Sequence, residues 1–99
     1  MRPPKTVRDT ARSALERRRE RAAQTQRPGG TLVGVARARD LARGAMIPHA
    51  TLQRMRSFFA RHDTPAEREA RRKDPYSPAA IAWDLWGGDA GRRWVERVL

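Results

Sequence analysis

The side chains of this 99-residue chain with chemistry to offer are overwhelmingly guanidinium groups. Twenty of the 22 basic residues are arginine, set against 11 acidic residues for a formal charge of +11. A guanidinium presents five N–H donors in a planar fork that grips phosphate bidentately, where an ammonium acts as a point charge. The excess is segregated: residues 1–27 carry +6, residues 28–62 carry +5, and residues 63–99 are neutral. Segregation of this kind fits a polyanionic partner, because each phosphate neutralised releases condensed counterions. A compositional arginine bias alone would leave the charge scattered.

Catalytic chemistry has little to work with. There are two histidines, His49 and His62, and no cysteine, so neither a disulfide framework nor a thiolate metal site is available. His62 and Asp63 are sequence neighbours, which does not make them a positioned dyad. Asp84 and Asp89 flank a Gly-Gly pair, but two carboxylates are too few for a cation site. The stretch "GGDAG" lacks the preceding strand and following Lys-Ser/Thr of a phosphate-cradling loop. No enzyme activity, cofactor, metal or small-molecule substrate is expected. Trp83, Trp86 and Trp94 offer faces on which bases could stack, but their spacing beside a glycine turn favours a core role.

The elements that must position these groups read as helices. After the lead-in "MRPPK", Thr6 opens a helix running to about Gln24, with Val7, Ala11, Ala14, Leu15 and Ala22 as a narrow apolar stripe. "RPGGT" breaks the chain, which divides it into a basic N-terminal arm over 1–28 and a small helical domain over 29–99. Residues 1–5 and 27–31 are expected to be mobile, and the arm helix ordered only if Val7, Ala11 and Leu15 find a partner. A helix face follows at Val35, Ala38, Leu41 and Ala42, ended by Gly44, although "TLVGV" could instead form a short strand. The next helix starts near Pro48 and carries Leu52, Met55, Phe58 and Phe59 inward. "TPAEREARRKD" reads as an exposed helical connector or a flexible segment. Ser77-Pro78 starts a helix to Trp86, Gly87-Gly88 ends it, and Asp89 caps the last helix. The expected fold is all-α, with four to five short helices, a helix-turn-helix-like corner and a Gly-Gly turn between the last two. Its core is Leu41, Ile47, Leu52, Met55, Phe58, Phe59, Ile81, Leu85, Trp86 and Trp94. No apolar run approaches the length of a membrane span, and the start lacks the apolar region of a secretory signal.

Ala42, Ile47, Leu52 and Met55 have the spacing of a helix-turn-helix corner. "IPHATLQRM" is similar to the start of the recognition helix in lac-repressor-type helix-turn-helix proteins. That resemblance implies that His49, Ala50 and Arg54 face a DNA groove. Met46 departs from it, standing where the motif has a glycine.

Three segments, "VGVARARDLARG", "MRSFFARH" and "IAWDLWGGDAGRRW", in this order resemble a small module of tailed-phage proteins, found alone or appended to head-morphogenesis or maturation-type proteins. The resemblance spans residues 29–96, with a shorter and more charged connector, and implies a setting in the host cytoplasm or the virion. Two functions are then expected. In the first, Arg12, Arg19, Arg37, Arg39 and Arg43 hold phosphates of a nucleic acid, in the first place duplex DNA. His49, Gln53, Arg54 and Arg56 then approach its groove. In the second, the chain is a virion assembly protein whose basic N-terminal helix docks on another virion protein.

Overall fold

A computed structural model describes all 99 residues, and every regular element is a helix. These are α1 (Lys5–Thr25), α2 (Leu32–Ala42), α3 (His49–Arg61), α4 (Pro65–Lys73), α5 (Pro78–Leu85) and α6 (Gly88–Val98). Five correspond to the helices read from apolar spacing. The sixth, α4, is the charged connector, which is helical. "TLVGV" opens α2, where Thr31 Oγ1 accepts from the Gly34 N–H at 3.1 Å and caps the helix.

The N-terminal segment is not an arm. Val7, Ala11 and Ala14 are completely buried, and α1 packs against α2, α5 and α6. Small residues on this stripe let three helices approach α1 closely, so the narrow apolar stripe is the condition for close packing. One apolar core runs through residues of both segments, 1–28 and 29–99. The lead-in is also tied down: the Ile47 N–H donates to the Met1 carbonyl at 2.7 Å, Arg2 Nη1 donates to the Gly44 carbonyl at 3.0 Å, and Pro3 is buried.

"RPGGT" brings the backbone close to α5. A Cβ on Gly30 would lie 2.6 Å from Leu85 Cδ1, and one on Gly29 would lie 3.3 Å from Pro78 Cα. Both glycines have positive φ, which side chains rarely tolerate.

All ten residues expected in the core are buried, and Trp94 is only 3% exposed. The aromatic part of the core joins α3 to α5. Phe58 stacks on Trp86 with centroids 4.6 Å apart, and Phe59 meets Trp83 edge-on at 4.9 Å. Such pairs add about 1 kcal/mol each beyond simple burial. Gly87 and Gly88 carry the chain from α5 into α6 with φ of 106° and 64°. α4 alone buries no side chain.

Candidate nucleic-acid interface

The arginines of α1, Arg19 excepted, are engaged within the fold. Arg8 Nη1 donates to the Pro3 carbonyl, Arg12 Nη2 to Ala42, Arg17 Nη1 to Pro75, Arg18 Nε to Gly29 and Arg21 Nη1 to Tyr76, at 2.5–3.1 Å. Each fastens the helix to a loop or, at Ala42, to the C-terminal end of α2, by a charge-assisted hydrogen bond stronger than a neutral one. Arg12 is further paired with Asp9 at 3.3 Å. Arg19 is exposed and makes no ion pair or side-chain hydrogen bond.

The α2 arginines divide. Arg43 is 2.9 Å from Asp40. Arg37 is largely covered, lies over the Trp86 ring at 5.5 Å, and reaches Asp40 at 3.8 Å. Burial lowers its pKa from the usual guanidinium range; Asp40 opposes this and the nearby Arg54 adds to it. Arg39 is exposed and unpaired. Of the residues expected to hold phosphates, therefore, Arg12, Arg37 and Arg43 have protein partners, and Arg19 and Arg39 are free.

α3 differs in kind. Thr51, Leu52, Met55, Phe58 and Phe59 turn inward, leaving His49, Gln53, Arg54, Arg56 and Arg61 outward. No acidic residue occurs on this helix, and Arg54, Arg56 and Arg61 form no ion pair. Gln53, Arg54, Ser57 and Arg61 line a groove of about 610 Å³ whose other wall includes Thr31, Val33 and Trp86. Arg56 lies on the other flank, beside Ala60 and Glu96. The structure thus brings Gln53 and Arg54 together and places Arg56 apart. Arg61 was not anticipated, although its position seven residues after Arg54 puts both on one helical face.

The α2–α3 corner departs from helix-turn-helix geometry. Six residues, Arg43–Pro48, separate the helices, against the three or four of that motif. α2 packs mainly on α1 and α5, and α3 mainly on α6. Gly44 takes φ of 70°, so the reversal occurs two residues before Met46.

The remaining candidates are accounted for by protein contacts. Asp84 pairs with Arg17, and Asp89 Oδ1 accepts from Trp83 Nε1 at 2.9 Å. His62 Nδ1 is 2.9 Å from Glu67 Oε2. The three tryptophans are buried, which removes them as platforms for bases. No helix is long and apolar enough to cross a membrane. The class defined by these features is an all-α domain with an arginine-bearing helix face. No family model matches the chain, and neither does a curated protein or a solved structure.

Proposed function

We propose that the protein is a small, non-enzymatic nucleic-acid-binding module that uses the outer face of α3. The observation that carries this reading is the contrast between two sets of arginines. Five of the six on α1, all but Arg19, are held by carbonyls or carboxylates, whereas Arg54, Arg56 and Arg61 project from a helix without a single acid. Arg54 and Arg61 on the groove side of α3 and Arg56 on its other flank are free to hold phosphates, and Gln53 beside Arg54 supplies a side chain of the kind that reads base edges. The resemblance of residues 29–96 to a tailed-phage module suggests viral or host DNA as the target, in the host cytoplasm or the virion.

Titration with duplex DNA at several salt concentrations tests the reading. With about three phosphates engaged, log K against log salt has a slope of about −3. Replacing Arg54, Arg56 and Arg61 together with alanine abolishes binding and the slope. Binding that is insensitive to salt, or unchanged in this variant, refutes the proposal.

A second reading, docking on another virion protein, is favoured by Leu32 and Val33. These residues are 80% and 61% exposed at the start of α2, and Val33 lines the α3 groove. With α1 packed in the core, that reading relies on this apolar pair in place of a recruitable arm. Loss of particle incorporation in Leu32→Ser/Val33→Ser, with DNA binding intact, would select it.

A further inference from the structure

A cleft of about 680 Å³ opens among α1, α4, α5 and α6, and it shares no lining residue with the α3 groove. Its charges are unevenly matched. Arg68 and Arg71 of α4 meet Arg92 and Arg93 of α6 here, and Asp63 is the carboxylate set among them. Asp63 lies 3.3 Å from Arg92 Nη1, 3.6 Å from Arg68 Nε and 3.7 Å from Arg71 Nη2. A well-formed charge-assisted bond closes to about 2.8 Å, so one carboxylate is shared among three guanidiniums and fully satisfies none. Asp63 Oδ1 is itself buried without a hydrogen bond. Arg93 is exposed and has no ion-pair partner. The other two acids of the cleft are taken, Asp84 by Arg17 and Asp89 by the Trp83 indole N–H.

Two of the guanidiniums are also oriented in advance. Arg71 Cζ lies 3.8 Å from the Trp83 ring centroid and Arg92 Cζ lies 5.9 Å from it. Stacking on an aromatic face holds a guanidinium through its plane and leaves the in-plane N–H groups to donate. Trp83 is a fixed platform, since it is buried in the core. Arg71 Nη1 is further anchored by donating to the His62 carbonyl at 3.1 Å. Arg68 of α4, whose side chain is exposed, can adjust without disturbing apolar packing.

The geometry points to a phosphate-binding cleft, in which a phosphoryl group lies among Arg68, Arg71, Arg92 and Arg93 and completes the neutralisation that Asp63 leaves unfinished. A carboxylate has two oxygens and one charge. A phosphate monoester has three terminal oxygens and carries about −1.5 to −2 at neutral pH, which matches several convergent forks. The group belongs either to a free phosphate-bearing molecule or to a nucleic-acid backbone. The diesters of a backbone each bring two free oxygens and one charge, so that two neighbouring diesters take the place of one monoester; guanidinium forks grip both. The inference is independent of the α3 proposal.

Calorimetric titration of the full chain with inorganic pyrophosphate, at constant ionic strength set by sodium chloride, tests it. Saturable binding is expected. It weakens at least about tenfold in Arg68→Gln/Arg93→Gln, each lost charged hydrogen bond being sufficient for such a change. Both side chains are exposed, and circular dichroism verifies that helix content is kept. Asp63→Asn, which removes the competing anion, binds pyrophosphate more tightly; weaker binding would count against the cleft. In Arg54→Ala/Arg56→Ala/Arg61→Ala the pyrophosphate binding that depends on Arg68 and Arg93 persists, which separates failure here from failure of the α3 reading. If pyrophosphate does not bind, but Arg68→Gln/Arg93→Gln weakens duplex DNA binding and flattens its salt slope, the phosphate is that of a backbone. Failure of both arms, or pyrophosphate binding indifferent to these arginines, overturns the proposal.

Discussion

Arg17 of α1 and Asp84 of α5 form a 2.6 Å ion pair whose side chains are only 13% and 26% exposed. The same guanidinium donates to the Pro75 carbonyl at 2.5 Å, so one side chain binds the central helix both to α5 and to the loop that enters it. Arg17→Ala leaves a shielded carboxylate and a loop carbonyl without a donor. Stability should fall by about 2 kcal/mol, measured by urea unfolding. Asp84→Asn keeps an acceptor for the guanidinium and should cost less.

The pH dependence of this pair has a definite sign. Burial raises the Asp84 pKa above its ordinary 3.8, and the hydrogen bond and charge of Arg17 offset this only in part. The native state then retains a proton at pH values where the unfolded chain has released it. This carboxyl's contribution to stability therefore declines as pH rises from about 3.8 through the native pKa, and is constant above both. Asp84→Asn removes that slope. The stability of Asp84→Asn relative to the parent chain should rise across the window; a difference that falls would mean that Arg17 outweighs burial.

The packed α1 stripe makes a prediction about exchange. Amides of α1 flanking Val7, Ala11 and Ala14 should exchange only with global unfolding, because α1 touches three other helices. Deleting residues 1–27 should unfold the remaining chain, visible as lost helical circular dichroism. Rapid exchange through residues 7–24 would restore the reading of this segment as an arm.

Glycine substitutions should separate geometry from conformation. A Cβ on Gly88 would lie 2.5 Å from Asp84 Oδ1 and 2.8 Å from Thr10 Cγ2, at φ of 64°. Gly44 has a similar φ, but the nearest atom is Arg8 Cδ at 3.2 Å, the flexible part of a side chain. Gly44→Ala should cost about 1 kcal/mol, the strain of positive φ alone. Gly88→Ala adds a clash and should cost at least about 1 kcal/mol more. Thermal unfolding of the two variants provides the comparison.

DNA binding should sort the arginines by what already holds them. Arg37→Ala and Arg43→Ala should change affinity little, since Asp40 and Trp86 engage those side chains. Each replacement of Arg54, Arg56 or Arg61 should reduce the salt slope by about 1. Among these, Arg54 beside Gln53 should matter more for a preferred site than for random DNA. Equal losses at Arg43 and Arg54 in filter-binding titrations would argue against the division.

Helical class and core membership were legible because both depend on local periodicity. Leu52, Met55, Phe58 and Phe59 recur at intervals that bring them to one face of any helix they join, whatever that helix packs against. Ser77-Pro78 and the two glycines at 87–88 mark element ends through local preference, the Ser77 hydroxyl by capping the Ala80 N–H and Pro78 and the glycines by their backbone angles. The same periodicity placed Gln53, Arg54 and Arg56 on the outer side of α3, and carried one turn further it would have included Arg61.

Tertiary contact decided what the charge means. Arg12, Arg17, Arg18 and Arg21 look alike along the chain, as a basic helix suited to a polyanion. Their hydrogen-bond partners are the carbonyls of Ala42, Pro75, Gly29 and Tyr76, and every backbone has carbonyls, so no residue type announces them. The close packing of "RPGGT" was hidden for a related reason. Gly30 signals either freedom or a neighbour too close for a Cβ, and only the position of Leu85 selects the second. The convergence of Arg68, Arg71 and Arg92 on Asp63, with Arg93 in the same cleft, was hidden as well, because it joins residues of α4 and α6 within a segment whose net charge is zero. Net charge along a sequence averages over groups that folding brings together or keeps apart, and electrostatic recognition depends on which of these occurs.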